Sequence, residues 1–177
     1  MIDFEPVKLD SAKQLDLIRC EPSHAVALNK LWHSRLPEVQ TGPWMYAFRF
    51  SYQGLSYAVA LWNNPSARTL PSHWVELRRM ACAPYAPKYT PSRFLSLMVR
   101  WFTAHRREHE VCISYQDPAV HKGTIYKAAG WEKVHEASDR TRDRSKPRRG
   151  TTRLYRKNSN SDQVDGVGKV RWEKRLR

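Results

Sequence analysis

On either side of Gly54 the chain alternates. Trp44, Tyr46, Phe48 and Phe50 precede it at every second position, and Leu55, Tyr57, Val59 and Leu61 follow it in the same way. A period of two sends successive side chains to opposite faces of an extended strand, so the two runs predict a β-hairpin turning near Gly54. A lone hairpin is marginal in water and needs more strands or a covering helix. Residues 63–72 hold Pro65 and Pro71 and predict a loop, after which residues 74–80 alternate again as a third antiparallel strand.

Helical spacing flanks this sheet. Leu28, Leu31 and Trp32 repeat on one face after a cap at Ser23, and Pro37 ends the run, leaving His33 beside a helix end. Thr90 caps a second helix whose first position is Pro91. Phe94, Leu95, Met98, Trp101 and Phe102 form its core face, while Arg93, Arg100 and Arg107 form a solvated face within reach of a phosphate backbone. Residues 111–116 predict a short buried strand. Residues 123–129 predict a short helix burying Ile125, Ala128 and Ala129, closed by Gly130 as a left-handed cap. Residues 131–134 and 151–156 predict two last strands. That order specifies an α+β or α/β sheet, antiparallel first and mixed later.

The apolar content, 41% of 177 residues, closes one core but not two, so one domain is expected over 1–157 with a tail over 158–177. Lysine and arginine number 31 against 17 acidic residues, a formal charge of +14 that predicts a polyanionic partner, nucleic acid first. A membrane surface and a solvated basic tail are the competing readings. Within residues 138–150, Arg140, Arg142, Arg144, Lys146, Arg148 and Arg149 face only Asp139 and Asp143, which predicts a flexible basic loop for phosphate contacts. The tail ends in Lys169, Arg171, Trp172, Lys174, Arg175 and Arg177, a composition that suits disorder or docking onto an anion. Charges interrupt residues 1–20, unlike a signal peptide, and no apolar run is long enough for a bilayer, so a soluble, cytoplasmic protein is expected. Cys20, Cys82 and Cys112 are odd in number and show no close pairing, which fits a reducing compartment.

The densest set of reactive groups is Ser114, Tyr115, Gln116, Asp117, His121, Thr124 and Tyr126, at a strand end and helix start where side chains and free N–H groups share a crevice. Asp117 reads as a general base, a metal ligand, or a turn cap ahead of Pro118. Tyr126 reads as a proton donor to a leaving group, a phenolate ligand, or a half-buried core tyrosine. His33 and His121 are surface histidines by default, with base or ligand as the alternative. Alternation places Arg79 on the face of Val75 and Leu77, where it needs an anionic partner, and pairs Glu76 with Arg78. The helix start Thr90, Pro91, Ser92 and Arg93 offers its free N–H groups to an anion, as every helix start does. No phosphate-binding glycine loop, GxSxG elbow or HExxH motif occurs, which removes the corresponding nucleotidase, hydrolase and zinc-peptidase classes.

The string SYQDPAVHKGTIYKAAGW at residues 114–131 resembles the hallmark of the Mom family of Mu-like bacteriophages. WVELRRMACAP at 74–84, LWHSRLP at 31–37, ALWNNPSARTLP at 60–71 and APKYTPSRFL at 86–95 are similar to it in order and spacing. The resemblance runs over residues 28–154. It implies a GNAT-like α/β (α+β) fold, a mixed, mainly antiparallel central sheet flanked by helices. It further implies transfer of a carbamoylmethyl-type group to the exocyclic amine of adenine in double-stranded DNA, shielding phage DNA from host restriction. Asp117 and Tyr126 then become the catalytic or metal-binding pair, with His33 as third member. Arg79 and Ser92 become donor-binding candidates, with Thr90, Arg93 and Ser114 beside them. Iron is the metal implied, with nitrogen and oxygen ligands from His33, Asp117 and Tyr126.

GNAT enzymes cradle a pyrophosphate in a glycine-rich turn after the strand that corresponds to residues 74–80. Here the turn reads ACAPYAPKYT and contains no glycine. The expected acyl donor is therefore either acetyl-CoA or a different activated carrier such as glycyl-tRNA. Two other functions fit the same residues: an N-acyltransferase acting on a small molecule or protein, and a DNA-binding phage protein without catalysis. Convergence of His33, Asp117 and Tyr126 in one cleft edged by the basic loop would separate them.

Overall fold

A computed structural model describes residues 7–39, 43–136 and 168–176. After a 3-10 turn at Ala12–Gln14 come β1 (Asp16–Arg19), α1 (Pro22–Trp32), β2 (Tyr46–Tyr52), β3 (Leu55–Asn63), β4 (Val75–Cys82), α2 (Thr90–His105), β5 (Val111–Gln116), α3 (Thr124–Ala128), β6 (Glu132–Glu136) and β7 (Val170–Arg175). The strands form one sheet in the order β1-β2-β3-β4-β5-β7-β6. Every described pair is antiparallel except β4 with β5. The fold expected from the sequence is therefore the fold found, a mixed and mostly antiparallel sheet with helices on both faces.

The hairpin forms as its alternation predicts. Gln53 and Gly54 both take positive φ, at 47° and 84°, the left-handed pair that a two-residue turn needs to match strand twist. One face of the sheet presents Phe48, Phe50, Ala60, Trp62 and Leu77 to Phe94, Leu95, Met98 and Phe102 of α2, and Tyr126, Trp131 and Trp172 extend that layer. The other face is covered by α1, where Ala25 meets Ala47, Val59, Leu61 and Ala81. Alanines on both sides let helix and sheet approach closely. Leu31 does not join this layer and is 74% exposed. The stripe is set instead by Ala25, Asn29 and Trp32, and Leu31 lies about a third of a turn away from it.

Several local expectations shift. α1 starts at Pro22 after Glu21, ahead of Ser23. α2 starts one residue early. Its N-cap is Tyr89 in the left-handed region, and Thr90, fully buried, turns its hydroxyl back to the Pro87 carbonyl at 2.7 Å. In α3 the buried side chain is Tyr126, while Ala128 is exposed and Ile125 and Ala129 are partly covered. The C-terminal stretch is corrected most. Residues 170–175 are a strand between β5 and β6, with Val170 and Trp172 buried and Arg171 paired to Glu173 at 2.9 Å on the other side. The period-two pattern was present there, obscured by the basic residues between its apolar positions. The basic loop at 138–150 and the strand expected at 151–156 lie outside the described residues.

Candidate active site

The register of β4 generates the site. Trp62 pairs with Leu77 but its neighbour Leu61 pairs with Arg79, so Arg78 is an extra residue in β4. A bulge inverts the phase of everything beyond it. Val75 and Leu77 face α2, whereas Arg79, opposite Leu61, faces α1. The expectation that Arg79 shares a face with Val75 and Leu77 is overturned by this single residue. The expected Glu76–Arg78 pair forms at 3.2 Å, and the buried Glu76 carboxylate also accepts from the Ser66 amide and hydroxyl.

Beyond the bulge the sheet opens. β4 and β5 pair only through Val75–Cys112, Glu76–Ile113 and Leu77–Ser114, yet β4 continues to Cys82 and β5 to Gln116. β5 stays with β7 along its whole length, so it parts from β4 and leaves a wedge-shaped split between two strand edges. At the foot of the split Ser114 Oγ donates to the Leu77 carbonyl at 3.4 Å and lies 2.9 Å from the Tyr126 hydroxyl. With the serine proton directed at that carbonyl, Tyr126 is the donor to Ser114. The Tyr126 ring stacks on Trp172 at 5.3 Å and meets Trp131 edge-on. Burial raises the phenol above its usual value, so it holds its proton at neutral pH.

The α1 side of the split is cationic. Arg79 donates to the Arg78 carbonyl at 2.7 Å, its buried Nε has no partner among the described residues, and burial together with neighbouring Arg78 lowers its pKa. His33 ends α1. Its Nδ1 accepts from the Leu36 amide at 3.2 Å and the Arg35 amide at 3.4 Å, and burial followed by the charges of Arg79 and His121 lowers its pKa. The ring is therefore neutral with its proton on Nε2. Asp117, just past β5, accepts from Arg35 at 3.2 Å through Oδ2 and from the Ala119 amide at 3.0 Å through Oδ1. Arg35 thus touches both His33 and Asp117, and it escaped the sequence reading because nothing in its spacing distinguished it from any basic residue after a helix. Trp172 and Gly123 escaped for another reason, since their roles depend on a strand far away in sequence.

The predicted residues divide accordingly. His33, Arg79 and Asp117 border the split on the α1 side, and Ser114 and Tyr126 stand at its foot on the α2 side. Ser92 donates its hydroxyl to the Tyr89 carbonyl at 3.1 Å, and Arg93 lies partly buried at the start of α2, its Nε without a partner among the described residues. Buried Thr90 cannot present its side chain to a donor. The six basic residues assigned to DNA, Arg140 to Arg149, lie outside the described residues.

The metal expectation names His33, Asp117 and Tyr126. Asp117 keeps a free lone pair on each oxygen, whereas His33 directs its Nδ1 lone pair at the Leu36 and Arg35 amides and Tyr126 is a protonated phenol bonded to Ser114 on the other side of the split, so the three do not form a ready set of ligands. Among the described residues no group of three or more His, Cys, Asp or Glu side chains is placed to hold a metal ion. Thiol chemistry has no better footing. All three cysteines are free, and burial pushes Cys20 up to about 11, Cys82 to about 12 and Cys112 higher still.

A sheet whose fourth and fifth strands part in front of a helix start is the architecture of the GNAT acetyltransferases. The structure superposes on ribosomal-protein-S18-alanine N-acetyltransferase from Escherichia coli with a TM-score of 0.59 at 10% identity, covering 92% of this chain and 94% of that one. It matches the putative acetyltransferase YncA from Salmonella typhimurium, solved with its cofactor acetyl-CoA, at TM-score 0.59 and 9% identity over 93% and 95% of the two chains. A Bacillus subtilis acetyltransferase in complex with CoA gives a TM-score of 0.56 at 10% identity over 92% and 99%. No curated protein matches the chain by sequence. The model of the Mom protein family matches residues 54–175, and the chain belongs to that family.

Proposed function

We propose that this chain is a transferase that modifies DNA, moving a carbamoylmethyl-type group from an activated carrier to the exocyclic amine of adenine in double-stranded DNA. The observation that carries the reading is the split between β4 and β5, with a protonated Tyr126 at its foot on one face and Asp117, His33 and Arg79 on the other. Membership of the Mom family supports adenine as acceptor, and the charge of +14 supports a polyanion.

In this scheme the donor enters on the α2 side and the adenine on the α1 side. The amine attacks the carrier-bound carbonyl carbon, so a C–N bond forms as the C–S or C–O bond to the carrier breaks, giving an acyl or glycyl amide. The glycyl amide is an isomer of the carbamoylmethyl adduct and reaches it by moving the amine attachment from the carbonyl carbon to the methylene. The amine proton passes to the Asp117 carboxylate, which Arg35 holds in place, while Tyr126 turns its proton from Ser114 to the departing carrier and the Ser114 hydroxyl donates to the phenolate that is left. Arg79 supplies positive charge beside the split. The basic loop at 140–149 contacts the phosphate backbone.

The donor is an acyl-CoA or an aminoacyl carrier such as glycyl-tRNA, and the β4–α2 turn favours the second. Pro91 removes one amide, the Arg93 amide is bonded to Tyr89, and the hydroxyls of Thr90 and Ser92 are both turned onto carbonyls, so little of the α2 start is left to cradle a pyrophosphate. The neighbouring structures that hold CoA support the first.

Mass spectrometry of nucleosides from plasmid DNA of cells expressing the chain, beside Asp117→Ala and Tyr126→Phe, tests the reading. A heavier adenine that needs the unaltered protein is expected. Unmodified adenine with soluble protein returns the choice to the plain acyltransferase or the non-catalytic DNA-binding protein.

A further inference from the structure

The two segments that meet across the mouth of the split carry apolar side chains the fold leaves uncovered. Leu36 is 39% exposed and Val120 is 41% exposed, and Leu31 lies just before them at the end of α1. A single exposed leucine is ordinary. Here three stand on two adjoining segments tied together by the Arg35–Asp117 pair at 3.2 Å.

Both segments are braced. The turn holding Leu36 is fixed by its own amide on His33 Nδ1 and by Asn29, whose buried amide donates to the Leu36 and Pro37 carbonyls at 3.1 Å each. The turn holding Val120 is fixed by the Val120 and His121 amides on the Asp117 carbonyl and by Gln116 on the His121 carbonyl. Exposed Arg35, His121 and Lys122 stand around these apolar tips, and the two carboxylates on the same segments, Asp117 and Glu38, are each paired with a base, Arg35 and Lys30, at 3.2 Å. Apolar tips whose only unpaired charge among the described residues is the cation of Lys122 match a partner that is anionic outside and apolar within its stack, which is duplex nucleic acid.

We infer that Leu36 and Val120 form a two-part wedge that enters the base stack of duplex DNA beside the target adenine and fills the space the extruded base vacates. The inference rests on the reading of the acceptor as adenine in duplex DNA. An amine inside a duplex is reached only once its base leaves the stack, and extrusion costs stacking that an apolar side chain partly replaces. The Arg35–Asp117 pair sets the spacing of the two halves and places the wedge directly beside the proposed base.

The test uses the full chain and a duplex of mixed sequence, without donor, at protein concentrations that saturate binding by fluorescence anisotropy. Permanganate oxidises thymines that have lost their stacked partner, so the unaltered protein raises thymine oxidation. The Leu36→Ala, Val120→Ala double variant, with its fold checked by circular dichroism, loses that rise on the order of tenfold, while Leu36→Met with native Val120 retains it. Equal oxidation with the unaltered and double-variant proteins overturns the wedge. So does DNA binding without any rise, and if plasmid adenine is nevertheless modified the proposed function survives. An unaltered protein that neither binds duplex nor modifies plasmid adenine removes both together.

Discussion

The Trp172 indole N–H donates to Gln116 Oε1 at 2.6 Å, and Gln116 in turn donates to the His121 carbonyl, so β7 holds the β5–α3 loop through one buried amide. Asp117 and Tyr126 lie on either side of that clamp. Trp172→Ala removes the indole N–H and the ring under Tyr126 at once. It is expected to destabilise the protein by about 3–5 kcal/mol, measured by chemical denaturation, and to abolish adenine modification even where folded protein remains. Trp172→Phe keeps most of the packing and loses the hydrogen bond. A Phe variant as stable as the native protein would refute the clamp.

Gly123 opens α3 with φ +71°, and a Cβ placed there would collide with the Trp172 ring and lie 2.6 Å from Gln116 Oε1. Gly123→Ala is therefore strained in both backbone and space. A loss of about 1–3 kcal/mol is expected, and Gly54→Ala in the open hairpin turn is the control, since its Cβ meets nothing within 4 Å. Comparing the two melting temperatures separates backbone strain, common to both, from the collision with Trp172.

Tyr126→Phe keeps the stack on Trp172 and the edge contact with Trp131 while deleting the hydroxyl. Stability is expected to change by about 1 kcal/mol, and the rate of modification to fall by roughly 10²–10⁴. Ser114→Ala, which removes the acceptor of the Tyr126 proton, lowers the rate less. A double variant no worse than Tyr126→Phe places both side chains in one proton path, and additive losses would deny it.

Acidification tests His33. Its pKa lies below the ordinary histidine value of 6.5, so the folded protein prefers the neutral ring. That preference carries no penalty above pH 6.5; below it the unfolded chain takes up a proton that the folded chain resists, and stability falls until the folded value is passed. His33→Asn removes this contribution and should show a flatter decline of melting temperature from pH 7 to pH 5 than the native protein. Parallel curves would show that His33 is not held neutral.

Much of the fold was legible because the β2–β3 hairpin, β4, β5 and the core face of α2 each repeat with a clear period, and period is what burial on one face requires. The residues around the split were legible as types and neighbours: Ser114, Asp117 and Tyr126 lie close in sequence, and the strand-to-helix junction brings them close in space. What failed was phase and distance. Arg79 changed face because one bulged residue is invisible to alternation counting, and Thr90 was drawn inside because Tyr89 accepts the left-handed conformation. The strand at Val170–Arg175 was hidden because basic residues fill its outward positions and its partner lies beyond a long intervening stretch. Iron was implied by residue types that suit it, yet the His33 Nδ1 lone pair is engaged by backbone amides and the Tyr126 phenol is bonded to Ser114, which types alone do not reveal.

The place of β7 between β5 and β6 also sets an order of events. A nascent chain that has emerged only as far as β6 has a strand with no neighbour to pair with, because the seat beside β5 is reserved for residues still unmade. The segment bearing Asp117 and Tyr126 lacks its clamp during that interval and is tightened by the most sequence-distant pairing in the sheet, a type of contact that forms slowly. The proposed site is therefore completed late, as a property of the finished sheet rather than of the stretch that carries Asp117 and Tyr126.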